Sequence, residues 1–341
     1  MDYNNKYSII SGDPIMKKLL SVTSAIAAFA LTLCACEIET NNNYKPHNSN
    51  VSAVIDTPDS AEDSGYDPYA HSNFYDVGED MIEEYDDVDY GTVLEDVTYY
   101  SSTASDNKQC SILLPADYDK NKSYPVLYVF HGFEGSHNDQ ISERSYLRML
   151  YGNMLHDSLT VPMIIVNVDM YTDKLADKDS KTEEQLRFIY DRAVYDVAID
   201  LMPYIEKNYS VKKGREYTAV AGVSEGGAKA LCTGFQWLDK FGYIGSFAPG
   251  PGVIPTEFYK GTFWNTPFFD KLPTPTKENT PSYLYLAVGS KDPWNIDCTK
   301  YYSHILDDMG IKNQTDIADN YEHDAVFWRQ CFYNFLNKIF R

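Results

Sequence analysis

The stretch Ala219-Val220-Ala221-Gly222-Val223-Ser224-Glu225-Gly226-Gly227 constrains this chain more than any other. A short apolar run beginning near Tyr217 reads as a buried strand, and Ala228-Lys229-Ala230-Leu231-Cys232 reads as the helix that follows. Between them lies Gly-x-Ser-x-Gly, the sequence form of a strained strand-to-helix turn that lifts a serine hydroxyl clear of a sheet. The chemistry accounts for the glycines. The serine takes an unfavourable backbone conformation, and its neighbours must be small because strand and helix nearly touch. The helix N-terminus also aims backbone N–H groups at the place where negative charge develops. Pentapeptides recur by chance, so a glycine-rich turn with a surface serine is the competing reading.

The flanking elements favour the first reading. Val93 to Tyr100 and Gln109 to Leu114 alternate like paired strands, with Pro115-Ala116-Asp117-Tyr118-Asp119 as a turn. Val126 to Phe130, Met163 to Val168, Tyr217 to Val220 and Tyr283 to Val288 are continuous apolar runs, as expected for strands covered on both faces. Glu183 to Glu206 has helical spacing, with Pro203 as a kink or break. Strands alternating with helices predict an α/β domain with a mostly parallel sheet, spanning residues 91–341.

A nucleophilic serine needs a base, and the base needs an orienting acid. Of 7 histidines, only His304 and His323 follow Ser224 in the chain. The order serine, acid, histidine belongs to this kind of turn. Tyr283-Leu284-Tyr285-Leu286-Ala287-Val288 ends in the turn Gly289-Ser290-Lys291-Asp292, at the sheet edge where such folds place function. Asp292 is therefore the candidate acid. His323, in a loop before the last helix, is the candidate base; His304 lies on a helix. The bland readings are a turn aspartate and a helix-capping histidine. The oxyanion of an acyl-transfer intermediate needs two backbone donors, which are assigned to Glu225 and, after the strand ending at Phe130, to Phe133.

The formal net charge of −21 opposes nucleic-acid binding, which needs Lys and Arg against phosphate. No His-rich or His–Glu cluster suggests a metal, and the cysteine spacing matches no zinc site. Met16-Lys17-Lys18 precedes the apolar run Leu19 to Leu33, the layout of an export signal. Met16 is a candidate start residue, since Met1 to Pro14 is polar. The run ends in Leu33-Cys34-Ala35-Cys36, which resembles a bacterial lipobox with Cys36 as the lipidated residue and a membrane lipid anchor as the consequence; Cys34 is unusual within such a box. Plain secretion with cleavage nearby is the alternative. Residues 1–36 form the signal region, and residues 37–90, acidic and poor in aliphatic side chains, read as a flexible linker. Cys110, Cys232, Cys298 and Cys331 remain after export, and four cysteines allow three pairings.

Several segments together carry a family resemblance. They are Tyr124-Pro125 with Val126 to Gly132, Leu201 to Tyr209, Gly222 to Gly227, and His323-Asp324 with Trp328. In this order they resemble the esterase-D-like α/β-hydrolases, and within them the feruloyl and acetyl-xylan esterases of carbohydrate esterase family one. The resemblance covers residues 91–341. It implies an α/β-hydrolase fold with helices on both faces of the sheet. It also implies a cofactor-free serine esterase that removes feruloyl or acetyl groups from plant cell-wall xylan outside the cell. An acyltransferase with the same triad, or a surface binding protein that kept the fold, are the other expectations. Aromatic pairs at Phe258-Tyr259, Phe263-Trp264 and Phe268-Phe269, with Trp294, are candidate acyl contacts, Trp264 and Trp294 foremost. Glu225 stands where many relatives have an apolar residue, and Glu322 where the family often has Gly.

Overall fold

Strand β3 (Val126–Phe130) shows why a central sheet forms. All five residues are buried, and alternate side chains serve two different cores. Val126, Tyr128 and Phe130 belong to one apolar cluster, and Leu127 and Val129 to the other. The computed structural model describes residues 67–69, 74–141 and 147–341. The signal region, Cys36 and most of the linker therefore lie outside the described residues.

Eight strands form one sheet in the order β1-β2-β4-β3-β5-β6-β7-β8. β1 (Thr92–Ser101) and β2 (Asp106–Leu114) form an antiparallel pair, and β2 runs antiparallel to β4 (Ile164–Val168). From β4 onward, through β3, β5 (Thr218–Val223), β6 (Tyr243–Phe247), β7 (Tyr283–Gly289) and β8 (Gln314–Ala318), every neighbour is parallel. Helices cover both faces. On one side lie α2 (Glu183–Asp196), α4 (Glu225–Gln236) and α5 (Ile296–Asp308), through Ile189, Tyr190, Leu231, Tyr302 and Leu306. On the other lie α1 (Leu147–His156) and α6 (Ala325–Leu336), through Leu150, Met154, Phe327, Phe332 and Phe335.

Local chemistry sets the helix limits. Thr182 and Gln185 form a reciprocal capping box at the start of α2. The expected break at Pro203 appears as one widened turn, Val197–Leu201, before α3 (Met202–Asn208). Proline has no N–H for the carbonyl four residues back, and its ring crowds that carbonyl; the widened turn relieves both. The antiparallel pair is fastened to α2 by a buried ion pair, Lys108 Nζ to Asp196 Oδ2 at 2.7 Å, which the Tyr99 hydroxyl joins at 2.6 Å. The four cysteines are all unpaired and buried, on β2, α4, α5 and α6.

Packed residues also lie upstream of residue 91, in the stretch read from sequence as linker. Tyr69, Phe74, Met81 and Ile82 pack against the second core cluster, and Tyr90 is buried, its hydroxyl bonded to Asn153 Oδ1 at 2.8 Å. Two side-chain amides of α6 clasp the upstream backbone. Asn334 takes the Tyr75 N–H at 2.8 Å and donates to its carbonyl at 2.9 Å; Gln330 does the same at Val77, at 2.7 and 3.1 Å. Average composition concealed this strap, because its few apolar residues are each individually inserted.

Two truncated proteins test the strap, one beginning at Asp67 and one at Gly91. Removing several packed side chains of about 1.5–3 kcal/mol each should lower the melting temperature of the shorter protein by roughly 10 °C. Equal melting curves would show that the strap is not part of the folded unit.

Candidate active site

Ser224 sits between β5 and α4 at φ 57°, ψ −122°, in the sparsely populated left-handed half of backbone space. Close contact enforces this turn. A Cβ on Gly222 would lie 2.2 Å from the Gly226 carbonyl oxygen, and one on Gly226 would lie 2.2 Å from that of His131. No larger residue fits at either position. Ser224 N–H donates to the Phe247 carbonyl at 2.8 Å, and its own carbonyl accepts from Gly250 and Ala228, each at 3.2 Å.

The structure brings the three sequence-predicted side chains together. His323 Nε2 lies 3.0 Å from Ser224 Oγ, and His323 Nδ1 lies 2.6 Å from Asp292 Oδ2. Asp292 Oδ1 accepts from the amides of Trp294 (2.9 Å) and Asn295 (3.0 Å), so both carboxylate oxygens are engaged. Burial pushes the Asp292 carboxyl up. The hydrogen bond and charge of His323, with the two amides, outweigh burial and hold it below the usual carboxylate range. The N-cap of α6 is Asp324, which accepts from Phe327 N–H at 3.0 Å, so His323 is free of that duty. His304 is exposed on α5, 3.5 Å from Asp308, away from this group.

The turn after β3 comes close to the serine, since a Cβ on Gly132 would lie 3.8 Å from Ser224 Cβ. His131 is buried and serves that turn. Its Nε2 accepts from Met170 N–H at 3.0 Å, which leaves Nδ1 to donate to the Gly132 carbonyl at 2.6 Å. The Phe133 amide follows directly. The Phe133 ring packs edge-on against Trp264 with centroids 4.9 Å apart. Trp294 and Trp328 both meet the His323 ring edge-to-face, at 5.2 and 4.7 Å. Trp264 and Trp294 therefore stand on two sides of the group.

One part was not anticipated. The Glu225 carboxylate is buried behind the turn, 3.2 Å from Arg187 Nε and 3.0 Å from Lys229 Nζ. Asp191 joins the same two cations at 2.7 and 2.6 Å. Burial disfavours the charge on Arg187 and Lys229, and the two carboxylates more than restore it, raising both above their ordinary range. The available signal was a pair of opposite charges four residues apart on each of two helices.

The sheet, the strained strand-to-helix turn at Ser224 and the serine-histidine-aspartate chain of hydrogen bonds define an α/β-hydrolase. The profile of the esterase family described as "Putative esterase" matches residues 101–331, and the chain belongs to that family. The chain is 24% identical over 262 residues to an endo-1,4-beta-xylanase/feruloyl esterase of Xylanibacter ruminicola; the match takes in 75% of this chain and 32% of that protein. The chain thus spans about a third of that relative. The CE1 ferulic acid esterase of the anaerobic fungus Anaeromyces mucronatus is 28% identical. Without substrate it superposes with a TM-score of 0.68, covering 77% of this chain and 96% of that one. Its complex with ferulic acid gives 0.66 with the same identity and coverage.

The lowered Asp292 carboxyl makes a pH prediction. A carboxyl lowered by folding stabilises the fold fully above its ordinary value and loses that contribution as pH falls through the folded one. Asp292→Asn removes the contribution at every pH. In urea unfolding, the stability gap between wild type and variant should be present at about pH 6 and shrink towards about pH 3. A gap that widens in acid would contradict the assigned environment.

Proposed function

We propose that the chain is a serine carboxylic-ester hydrolase in which Ser224, His323 and Asp292 form the catalytic triad. The natural substrates would be feruloyl or acetyl esters on xylan. The observation that carries this reading is the unbroken path from Ser224 Oγ through His323 to Asp292, at 3.0 and 2.6 Å, on a strained turn. Ser224 Oγ attacks the ester carbonyl and passes its proton to His323 Nε2. The resulting oxyanion is received by the Phe133 and Glu225 amides. His323 then protonates the leaving sugar oxygen as the tetrahedral intermediate collapses, leaving an acyl-serine. Water, deprotonated by the same histidine, releases the acid. Asp292 keeps the imidazole in one tautomer and stabilises its protonated form. The names of the relatives support the substrate class, and the aromatic residues about the site are of a kind to receive an aryl acyl group.

Ser224→Ala should abolish turnover of methyl ferulate and chromogenic acetyl esters and leave the melting temperature nearly unchanged. His323→Ala should be about as damaging, since residues of one catalytic unit fail together. His304→Ala should be silent. Turnover of more than a few per cent in Ser224→Ala would exclude this serine as nucleophile. Product analysis with added alcohol tests transfer to acceptors other than water. The binding-protein reading requires that wild type turn over no ester at all.

The proposal extends to place. Export followed by lipidation at Cys36 would attach the enzyme to a membrane facing its polymer, because two acyl chains anchor stably where one is marginal. Expression of Met16–Arg341 in a bacterium with lipoprotein processing checks this. Cys36→Ala should leave the membrane fraction or stall as precursor. Wild type found free in the medium, with a mature end other than Cys36, would refute the anchor.

A further inference from the structure

Residues 252–269 form a loop whose base is closed by one buried guanidinium. The Gly252 carbonyl accepts from Phe268 N–H at 2.8 Å, and the Val253 carbonyl accepts from Phe269 N–H at 3.0 Å, so the loop ends lie side by side. Arg187 Nη2 donates to the Gly252 and Thr266 carbonyls, each at 3.2 Å. The approach is tight, since a Cβ on Gly252, at φ +96°, would lie 2.0 Å from that nitrogen. Arg187 has no solvent exposure and is held from behind by Glu225 and Asp191.

From this base the loop reaches the site at two points. Trp264 packs on Phe133 of the oxyanion turn. The Tyr259 hydroxyl donates to the Trp294 carbonyl at 2.9 Å, and the Trp294 ring meets His323. One side chain therefore contacts both the residue after the nucleophile and the base of a loop that touches the two sides of the site. Removing charges from water is expensive, so a buried ion pair contributes little to stability by itself.

We propose that Arg187 is a positioning residue that holds the 252–269 loop as an aromatic wall beside the acyl group, and thereby sets a preference for aryl over acetyl esters. This rests on the serine-esterase reading above. A loop held at its base by the two ladder bonds alone would lose conformational freedom on binding a planar acyl group; one also fixed by Arg187 loses little. An acetyl group is too small to use the wall. Arg187 Nη2 meets both carbonyls while Nη1 faces Asp191 and Nε faces Glu225, a three-way geometry of the planar fork that the single nitrogen of lysine cannot copy.

The test is Arg187→Lys, which keeps the charge against Glu225 and Asp191 and removes the fork. Two readouts are taken. The ratio of kcat/KM for methyl ferulate to that for a chromogenic acetate should fall about tenfold, mostly through the ferulate KM. Hydrogen exchange at the Phe268 and Phe269 amides should quicken about tenfold while β5 and β7 stay protected. Tyr259→Phe, which touches no buried charge, should shift the ratio in the same direction by a smaller factor. Unchanged exchange in Arg187→Lys overturns the proposal, as does an equal loss on both esters. If Arg187→Lys does not fold, an unchanged ratio in Tyr259→Phe overturns it. If wild type hydrolyses neither ester, the esterase reading fails, and the exchange rates alone decide whether Arg187 holds the loop.

Discussion

Everything at this site depends on how closely strand β5 and helix α4 approach one another. The Ser224 conformation costs on the order of 1–3 kcal/mol, and such strain persists only where the surroundings over-determine it. Here they do. The serine backbone is bonded to Phe247, Gly250 and Ala228, and Gly226 lies against the carbonyls of Phe130 and His131. The last of these contacts has a second effect. It fixes the end of β3 against the nucleophile turn, so the amide proposed to receive the oxyanion is positioned by the same contact that strains the serine. The distance between Ser224 and the turn after β3 is thus set by the sheet.

The histidine is placed by separate means. A Cβ on Gly289 would lie 2.3 Å from the Tyr321 carbonyl oxygen, which also accepts from Lys291 N–H at 2.9 Å. The acid turn and the histidine turn are therefore pinned by backbone contacts, apart from the Asp292–His323 bond. The strap adds to this, since the Tyr321 hydroxyl donates to Asp76 and its ring meets Phe74 at 5.9 Å. Chain upstream of the sheet thus supports the segment that carries His323, two residues from Tyr321.

The Ser224–His323–Asp292 cluster was legible because its signals are local and ordered: a pentapeptide, a turn at a strand end and a histidine before the last helix. Strands β6 and β8 gave no comparable signal. Tyr243-Ile244-Gly245-Ser246-Phe247 is interrupted by residues that serve neighbours. A Cβ on Gly245 would sit 3.1 Å from Ala221 Cβ, and Ser246 donates to the Gly227 carbonyl at 2.9 Å. β8 is an edge strand, with only Gln314 and Ala318 buried, so its sequence lacks the apolar run of a central strand. The strap was hidden for a related reason. Its backbone is satisfied by Asn334 and Gln330, residues about 250 positions away in the sequence.

The buried charges mark the limit of reading one helix at a time. Arg187 with Asp191, and Glu225 with Lys229, are ordinary surface pairs on their own helices. Packing α2 against α4 turns both pairs inward and makes them one neutral group of two cations and two anions. Only then does Glu225 make sense in the position next to Ser224. In the proposed mechanism its amide faces the ester carbonyl, and an unpaired carboxylate there would oppose the negative charge that develops. Neutralised from behind by Arg187 and Lys229, the side chain can occupy the position and leave its amide available for the proposed oxyanion. The same neutralisation leaves Arg187 with a nitrogen free of the carboxylates, and that nitrogen meets the loop.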